Sequence, residues 1–294
     1  MTVLVIVIII LAALAVLWLL AIRPNDGRQE LMRPFTETYI AHRGLHTAGN
    51  TDEAAGNAGR PVSAGSAGEP FVPENSLAAF RRAAEAGYGI ELDVQLTADG
   101  QVIVLHDPDP ARVTGVHGNV SEMTYAELSE LRLGGTDERI PLFSEALALI
   151  GGRVPLVVEV KADGDPIRTA EAAAALLADH SGTYCVESFH PLVLVWLRKH
   201  CPEILRGQLS TDFGKDGVPL PAHQRGALTN LLVNFLAKPD FIAYRHIHKN
   251  QLSYRLCRRI YHAVHAAWTI RSQDELDRAR DVFHVFIFEG FEPK

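Results

Sequence analysis

Apolar and polar positions divide this chain into one long uninterrupted run and many short ones. From Val3 to Ile22 twenty residues pass without a charge, a proline or a glycine. As a helix that run is about 30 Å long, the hydrocarbon thickness of a bilayer. Trp18 lies near its end, where an interfacial aromatic is common. A cleaved signal peptide would want a basic start, a shorter apolar stretch and a small-residue cleavage site. Here only Met1-Thr2 precede the run, and it passes directly into Arg23-Pro24-Asn25. Residues 1–22 are therefore expected to be an uncleaved transmembrane anchor, and residues 23–37, polar with two prolines, a juxtamembrane linker.

Beyond residue 37 the runs are short and alternate in kind. Strands are expected at Thr38–Ala41, Ile90–Leu96, Val102–His106, Pro155–Val160, Tyr184–Phe189, Gly207–Ser210, Phe241–Tyr244, Ala266–Ile270 and Val285–Phe288. Helices are expected after the capping pair Asn75-Ser76, over 125–132, 143–150, 170–177, 191–200, 251–262 and 273–280. Such β-α alternation implies a parallel sheet covered by helices. The Ala98-Asp99-Gly100 turn makes Ile90–Leu96 and Val102–His106 a hairpin, too tight for a crossover helix, so one of nine strands stands outside an eight-strand barrel. The segment 47–70 has five glycines, six alanines and no aromatic, Leu or Ile, and is expected to be a flexible insertion.

Polar residues punctuate the strands. His42, Arg43, Glu91, Asp93, Glu159, Lys161, Ser188 and Trp268 all lie within strands or at their ends, where α/β folds place their sites. Glu91 and Asp93 are two apart and share a face of their strand, and the hairpin folds His106 back beside them. Carboxylates brought to about 4 Å repel by about 4 kcal/mol each at an effective dielectric near 20. A divalent cation removes that conflict, and an all-oxygen ligand set selects Mg²⁺ or Ca²⁺. Arg43 and Lys161 beside it suit a phosphate, and His42 and His106 supply proton transfer near neutral pH.

Composition narrows the classes. The net charge of −7 with a pI near 6.0 argues against nucleic-acid binding by phosphate neutralisation. Cys185, Cys201 and Cys257 are too few and scattered for a disulfide framework or a zinc site. The 272 residues after the anchor suit one barrel of about 250 residues. No feature points to a protein partner.

The order of several blocks resembles the glycerophosphodiester phosphodiesterase family. The blocks are His42-Arg43-Gly44, Pro73-Glu74-Asn75-Ser76-Leu77-Ala78-Ala79-Phe80, Ile90-Glu91-Leu92-Asp93-Val94, Val104-Leu105-His106-Asp107 and Val158-Glu159-Val160-Lys161. Arg112-Val113-Thr114, Ile140-Pro141-Leu142 and Trp268-Thr269-Ile270 match further. The resemblance implies a (β/α)₈ TIM barrel spanning 38–294 and hydrolysis of glycerophosphodiesters to glycerol 3-phosphate and an alcohol. It implies Glu91, Asp93 and Glu159 as metal ligands, His42 and His106 as the acid/base pair, and Arg43 and Lys161 as phosphate contacts. Glu74 and Asn75 are implied as a supporting pair, and Trp268 as a wall against glycerol. Two departures stand out: the long spacer after Gly44, and Glu289 where the family commonly ends its last strand in Ile-Thr-Asp. With an anchor present, a lysophospholipid substrate is the alternative. Another metal-dependent barrel enzyme, or a membrane-anchored binding module without catalysis, is the reading from a different class. Arg23, Arg28 and Arg33 just after the anchor place the barrel in the cytoplasm by the positive-inside rule.

Overall fold

The computed structural model describes residues 2–47 and 70–294, so the expected insertion at 47–70 lies almost wholly outside the described residues. At its ends, Thr47 N donates to Val72 O at 2.9 Å and Val72 N to Thr47 Oγ1 at 3.0 Å.

The chain opens with α1 (Thr2–Ile22), a 3₁₀ turn at Gln29–Met32 and α2 (Arg33–Thr36), then β1 (Ile40–Ala41). Next come α3 (Leu77–Glu85), the hairpin β2 (Gly89–Leu96) and β3 (Val102–Val104), then α4 (Ala111–Thr114), α5 (Tyr125–Ser129) and α6 (Phe143–Ile150). Regular alternation follows: β4 (Leu156–Val160), α7 (Pro166–Leu177), β5 (Tyr184–Ser188), α8 (Pro191–His200) and β6 (Leu205–Ser210). After α9 (Ala222–Thr229) and α10 (Asn234–Ala237) come β7 (Phe241–Arg245), α11 (Leu252–Ile260), β8 (Val264–Ile270), α12 (Gln273–Ala279) and β9 (Val285–Phe288).

Eight strands pair in parallel, β2-β4-β5-β6-β7-β8-β9-β1, and β1 returns to β2 to close the barrel. β3 pairs antiparallel with the upper end of β2, Val94 opposite Val104, as an excursion outside the ring. Strand alternation sorts the side chains. Ile90, Leu92, Val94, Leu156, Val158 and Val160 join the helices in one core between barrel and shell. A second core fills the lower barrel with Ile40, Val157, Cys185, Phe241, Val264 and Ile287. Gly207 makes room there, since a Cβ on it would come within 2.1 Å of the Phe241 ring.

Residues 23–37 are not a loose tether. Met32 and Phe35 are fully buried in the lower barrel core, so α2 and its preceding turn close the barrel floor. Each such side chain stabilises by about 1.5–3 kcal/mol, enough to fix a segment whose polarity reads as a linker. Asn25 and Arg28 tie the same segment to Asp240, at 2.6 and 3.3 Å, just before β7. At the other extreme Thr2–Leu17 are exposed throughout.

Candidate active site

The inward-facing positions change character with height. Below, they are aliphatic and aromatic; toward the C-terminal ends of the strands they become Glu91 and Asp93 on β2, Glu159 on β4 and Glu187 on β5. Asp93 is opposite Glu159 in the β2–β4 register, and Glu159 is opposite Glu187 in β4–β5. One carboxylate oxygen from each of Glu91, Asp93 and Glu159 falls within 4.8 Å of the others, and all three residues are buried.

Two cations face this cluster. Lys161 Nζ lies 2.9 Å from Glu159 Oε1 and 3.3 Å from Asp93 Oδ1. Arg43 sits in a tight turn after β1 with φ +53°, followed by Gly44 at +78°. A Cβ on Gly44 would meet Ala79 and Phe80 at 2.9 Å, so the turn can press against α3 only with glycine there. The turn aims the Arg43 backbone N–H at Glu91 Oε2, 2.9 Å away, and its side chain at Glu74 Oε1, 2.8 Å away. Asn75, also at φ +53°, donates through Nδ2 to Asp93 Oδ2 at 2.8 Å. Ser76 then caps α3, its Oγ accepting from Ala79 N at 3.1 Å.

Each histidine has a carboxylate behind it. His42 Nδ1 donates to Glu289 Oε2 at 2.5 Å, while its Nε2 is 4.0 Å from Glu91 Oε2. His106 Nδ1 donates to Asp107 Oδ1 at 2.6 Å. Arg112 grips both oxygens of Glu74 at 2.9 and 2.6 Å and bonds Asp107 through Nε. A continuous chain of hydrogen bonds and ion pairs therefore runs His106–Asp107–Arg112–Glu74–Arg43. Arg271 Nη2 holds the other oxygen of Glu289 at 2.7 Å.

These contacts set opposite protonation tendencies within one cluster. Burial pushes Glu91 well above the usual carboxylate range, reinforced by Asp93, Glu159 and Glu187. Burial also raises Glu187, with Glu159 and Asp93 adding to it, and Glu159 rises although Lys161 opposes the shift. Asp93 goes the other way: burial would raise it, but Lys161, His106 and Arg43 together hold it ionised. Glu74 is likewise held well below its ordinary value by Arg43 and Arg112 against its own burial. The donor set is all oxygen, and Asp93 Oδ1 is buried with the Lys161 ammonium 3.3 Å away but no well-directed hydrogen bond. Both features suit a hard divalent cation, which Glu91, Asp93 and Glu159 would hold.

All the residues singled out in the sequence gather at this mouth or border it. Trp268, half-buried on β8, stands edge-on to Phe189 at 5.5 Å between ring centroids. Ser188 turns away: its Oγ donates to Val160 O at 2.6 Å, a brace between strands. Sequence reasoning gave no role to Asp107 and Arg112, which link His106 to Glu74, and it passed over Glu187. The two-residue alternation Cys185, Glu187 on a β-prone run was the available signal for the last.

An eight-stranded α/β barrel with an acidic cluster, two cations and two carboxylate-backed histidines at its C-terminal mouth is thereby defined, and comparison with known proteins agrees. The model of the glycerophosphoryl diester phosphodiesterase family matches residues 64–283, and the chain belongs to that family. His42, Arg43 and Glu289 fall outside the matched range.

A glycerophosphodiester phosphodiesterase of Caldanaerobacter subterraneus subsp. tengcongensis is 46% identical over 98 residues, 31% of this chain and 40% of that protein. A lysophospholipase D of Rattus norvegicus is 36% identical over 114 residues, 34% of this chain and 35% of that protein. The chain spans less than half the length of the first two curated relatives it matches. Among solved structures, an Oleispira antarctica phosphodiesterase in complex with the product sn-glycerol-3-phosphate superposes with a TM-score of 0.62. Its identity is 23%, over 86% of this chain and 92% of that one, which supports the fold alone.

Proposed function

We propose that this protein is a metal-dependent phosphoric diester hydrolase that cleaves glycerophosphodiesters to glycerol 3-phosphate and an alcohol. The observation that carries the reading is the meeting of Glu91, Asp93 and Glu159 within 4.8 Å, beneath Arg43 and Lys161 and between His42 and His106. Glu91, Asp93 and Glu159 would hold Mg²⁺ or Ca²⁺, and such a cation, when bound, neutralises charge on the phosphate's non-bridging oxygens. Arg43 and Lys161 bind the same oxygens and orient the diester for in-line displacement. Asp93 is pinned by Asn75 and Lys161, so its oxygens need no reorganisation. Glu74 and Asn75 act as supports, for Arg43 and Asp93 respectively.

With Nδ1 of each histidine donating to a carboxylate, Nε2 is the nitrogen left for the reaction. One histidine accepts the proton of the attacking hydroxyl, from water or from the neighbouring glycerol, and the other protonates the departing alcohol. Each step of this kind contributes about 10²–10⁴-fold. Trp268 and Phe189 offer an apolar wall for the glycerol carbons. Release of glycerol 3-phosphate from a panel of glycerophosphodiesters, with and without chelator, tests the assignment. No release from any member with Mg²⁺ or Ca²⁺ present removes it.

Lysophospholipid hydrolysis is the second reading, favoured by α1 and by the likeness to the rat lysophospholipase D. α1 is long and apolar enough to cross a bilayer, with no charge in Thr2–Ala21. We assign it as a single-pass anchor and, from Arg23, Arg28 and Arg33, place the barrel on the cytoplasmic side. Fusions of green fluorescent protein and of alkaline phosphatase after Lys294 test the side: phosphatase activity with a dark fluorescent fusion puts the barrel outside.

A further inference from the structure

α1 does not merely precede the barrel; its last turn and a half is packed onto it in a defined direction. Trp18 Nε1 donates to Ser253 Oγ at 3.1 Å, and Ile22 O accepts from Cys257 Sγ at 3.5 Å. Arg23 then lies over the Tyr261 ring, 6.0 Å from its centroid. The partners advance from 18 with 253 to 22 with 257 and 23 with 261, the long Tyr261 side chain also reaching back to donate to Leu19 O at 2.7 Å, so α1 runs parallel to α11. α11 follows β7 and leads to β8, so it descends from the C-terminal end of the barrel to the N-terminal end. The chain after α1 confirms the direction, because Asn25 N donates to Pro239 O at 2.8 Å beneath β7. The free part of α1 therefore leaves the barrel upward, past the face that holds the acidic cluster and the histidines.

Length fixes how close that face comes to the bilayer. Thr2–Leu17 form the unbroken exposed run of α1, sixteen residues long. They rise about 24 Å at 1.5 Å per residue, about 6 Å short of a hydrocarbon layer of about 30 Å, a mismatch met by local thinning of the bilayer beside the barrel. No slack remains, and Trp18, half-buried against α11, falls at the interface where indole rings collect. Ser253, its partner, opens α11 at the level of the barrel rim.

The rim has the surface this placement requires. Large apolar side chains stand exposed on the segments that follow the strands, as Leu31 and Phe235 do at the floor: Leu192 at 54% in the first turn of α8, Ile247 at 55% in the turn after β7, and Leu252 at 55% at the start of α11. All three lie on the β5–β8 side of the mouth, the side on which α1 is packed. Phe189, three residues before Leu192 in the chain, stands edge-on to Trp268, 5.5 Å between ring centroids.

We infer that the C-terminal rim of the barrel on its β5–β8 side docks on the phospholipid bilayer that α1 enters, holding the mouth against the lipid surface. The inference rests on α1 being an anchor and adds the orientation of the barrel, which anchoring alone leaves free. A substrate would then reach Trp268 from the headgroup layer as readily as from water.

The test uses the full chain in vesicles of phosphatidylcholine and phosphatidylglycerol, with Cys201→Ser to remove the half-buried thiol. A bimane fluorophore is attached at Leu192→Cys or Ile247→Cys on the rim, or at Leu31→Cys on the floor, where the side chain is 52% exposed. Lipid-borne bromine should quench the two rim sites severalfold more than Leu31→Cys, and aqueous iodide should show the reverse. If a rim variant fails to fold, Leu252→Cys reports the same face. Equal quenching at rim and floor, in a chain that resists alkaline extraction, overturns the docking and leaves the anchor standing. A chain released by alkaline extraction overturns the anchor and the docking with it.

Discussion

Arg112→Met is the most informative single perturbation of the charge chain behind the mouth. Arg112 makes two bonds to Glu74, at 2.9 and 2.6 Å, and one to Asp107. Bonds to charged groups contribute about 1.5–3 kcal/mol each, so the three together set an upper figure of about 4.5–9 kcal/mol. Two facts reduce it. Arg112 and Asp107 side chains are 27% and 22% exposed, so water replaces part of what is lost. Arg43 also remains on Glu74, which is 11% exposed. Breaking one partner of a largely buried pair costs about 3–5 kcal/mol, and the lower end, about 3 kcal/mol, fits this site. For a domain of this size that is a fall of about 6–12 °C in melting temperature. Arg112→Lys should recover less than half, because an ammonium cannot span two carboxylates as a guanidinium does. The double variant Arg112→Met/Glu74→Gln should be more stable than Arg112→Met, since no uncompensated charge is left buried. Differential scanning calorimetry reads the four proteins. If Arg112→Met melts within about 2 °C of the parent, less than 1 kcal/mol is at stake and the network is ornamental.

Four further outcomes follow from the site. His42→Ala and His106→Ala should each lose at least about two orders of magnitude in turnover with little change in metal binding, and near-parental activity in both would remove them from the mechanism. Chelation should abolish turnover, with Mg²⁺ or Ca²⁺ restoring it, and Asp93→Asn should bind the cation more weakly by calorimetry while staying folded; full activity in excess EDTA would contradict this. Glu74 is held below its ordinary 4.5 and Asp107 below 3.8, so both contribute stability that is present above those values and lost as pH falls below them. Urea midpoints should therefore drop between pH 5 and lower pH, less steeply in Glu74→Gln, and parallel slopes would show that Glu74 plays no part. Glu289→Gln should lower turnover by about 10–100-fold through loss of a charge-assisted bond of about 1.5–3 kcal/mol on His42 Nδ1, with unchanged turnover counting against that role.

The barrel strands were readable because each is a short apolar run with a breaker beside it, and the hairpin because Asp99-Gly100 leaves no room for a helix. The carboxylates were readable for the same reason: a charge on an otherwise apolar strand, as at Glu91, Asp93 and Glu159, has nowhere neutral to go. Glu187 shares that signature but sits beside Ser188 at a strand end, where a polar residue looks like the start of a loop. The roles of Asp107 and Arg112 are not legible locally, because Glu74, which Arg112 grips, lies thirty-eight residues from it and only the fold joins them into one network with His106. The floor was misread for a different reason. Residues 23–37 are polar on average, and the burial of Met32 and Phe35 depends on a barrel interior that no local pattern announces. α9 and α10 went unmarked because they are short and their burial comes from neighbours such as Ile22, not from their own periodicity.

The closed floor also imposes an order on how the chain is assembled. The segment that seals it is synthesised first, yet its partners come late: Asn25 waits for Asp240, 215 residues on, and Arg28 for Pro202, 174 on. Contacts of such long reach close slowly, because the loop entropy falls due before the contact forms. α1 emerges from the ribosome long before any strand can use Met32 or Phe35, so the nascent barrel grows while its base is still open. The lock on that first segment forms only when β6, β7 and α11 arrive. A recombinant form starting at Tyr39 would have the later strands but no plug, and its lower core would stay accessible to water or to another copy.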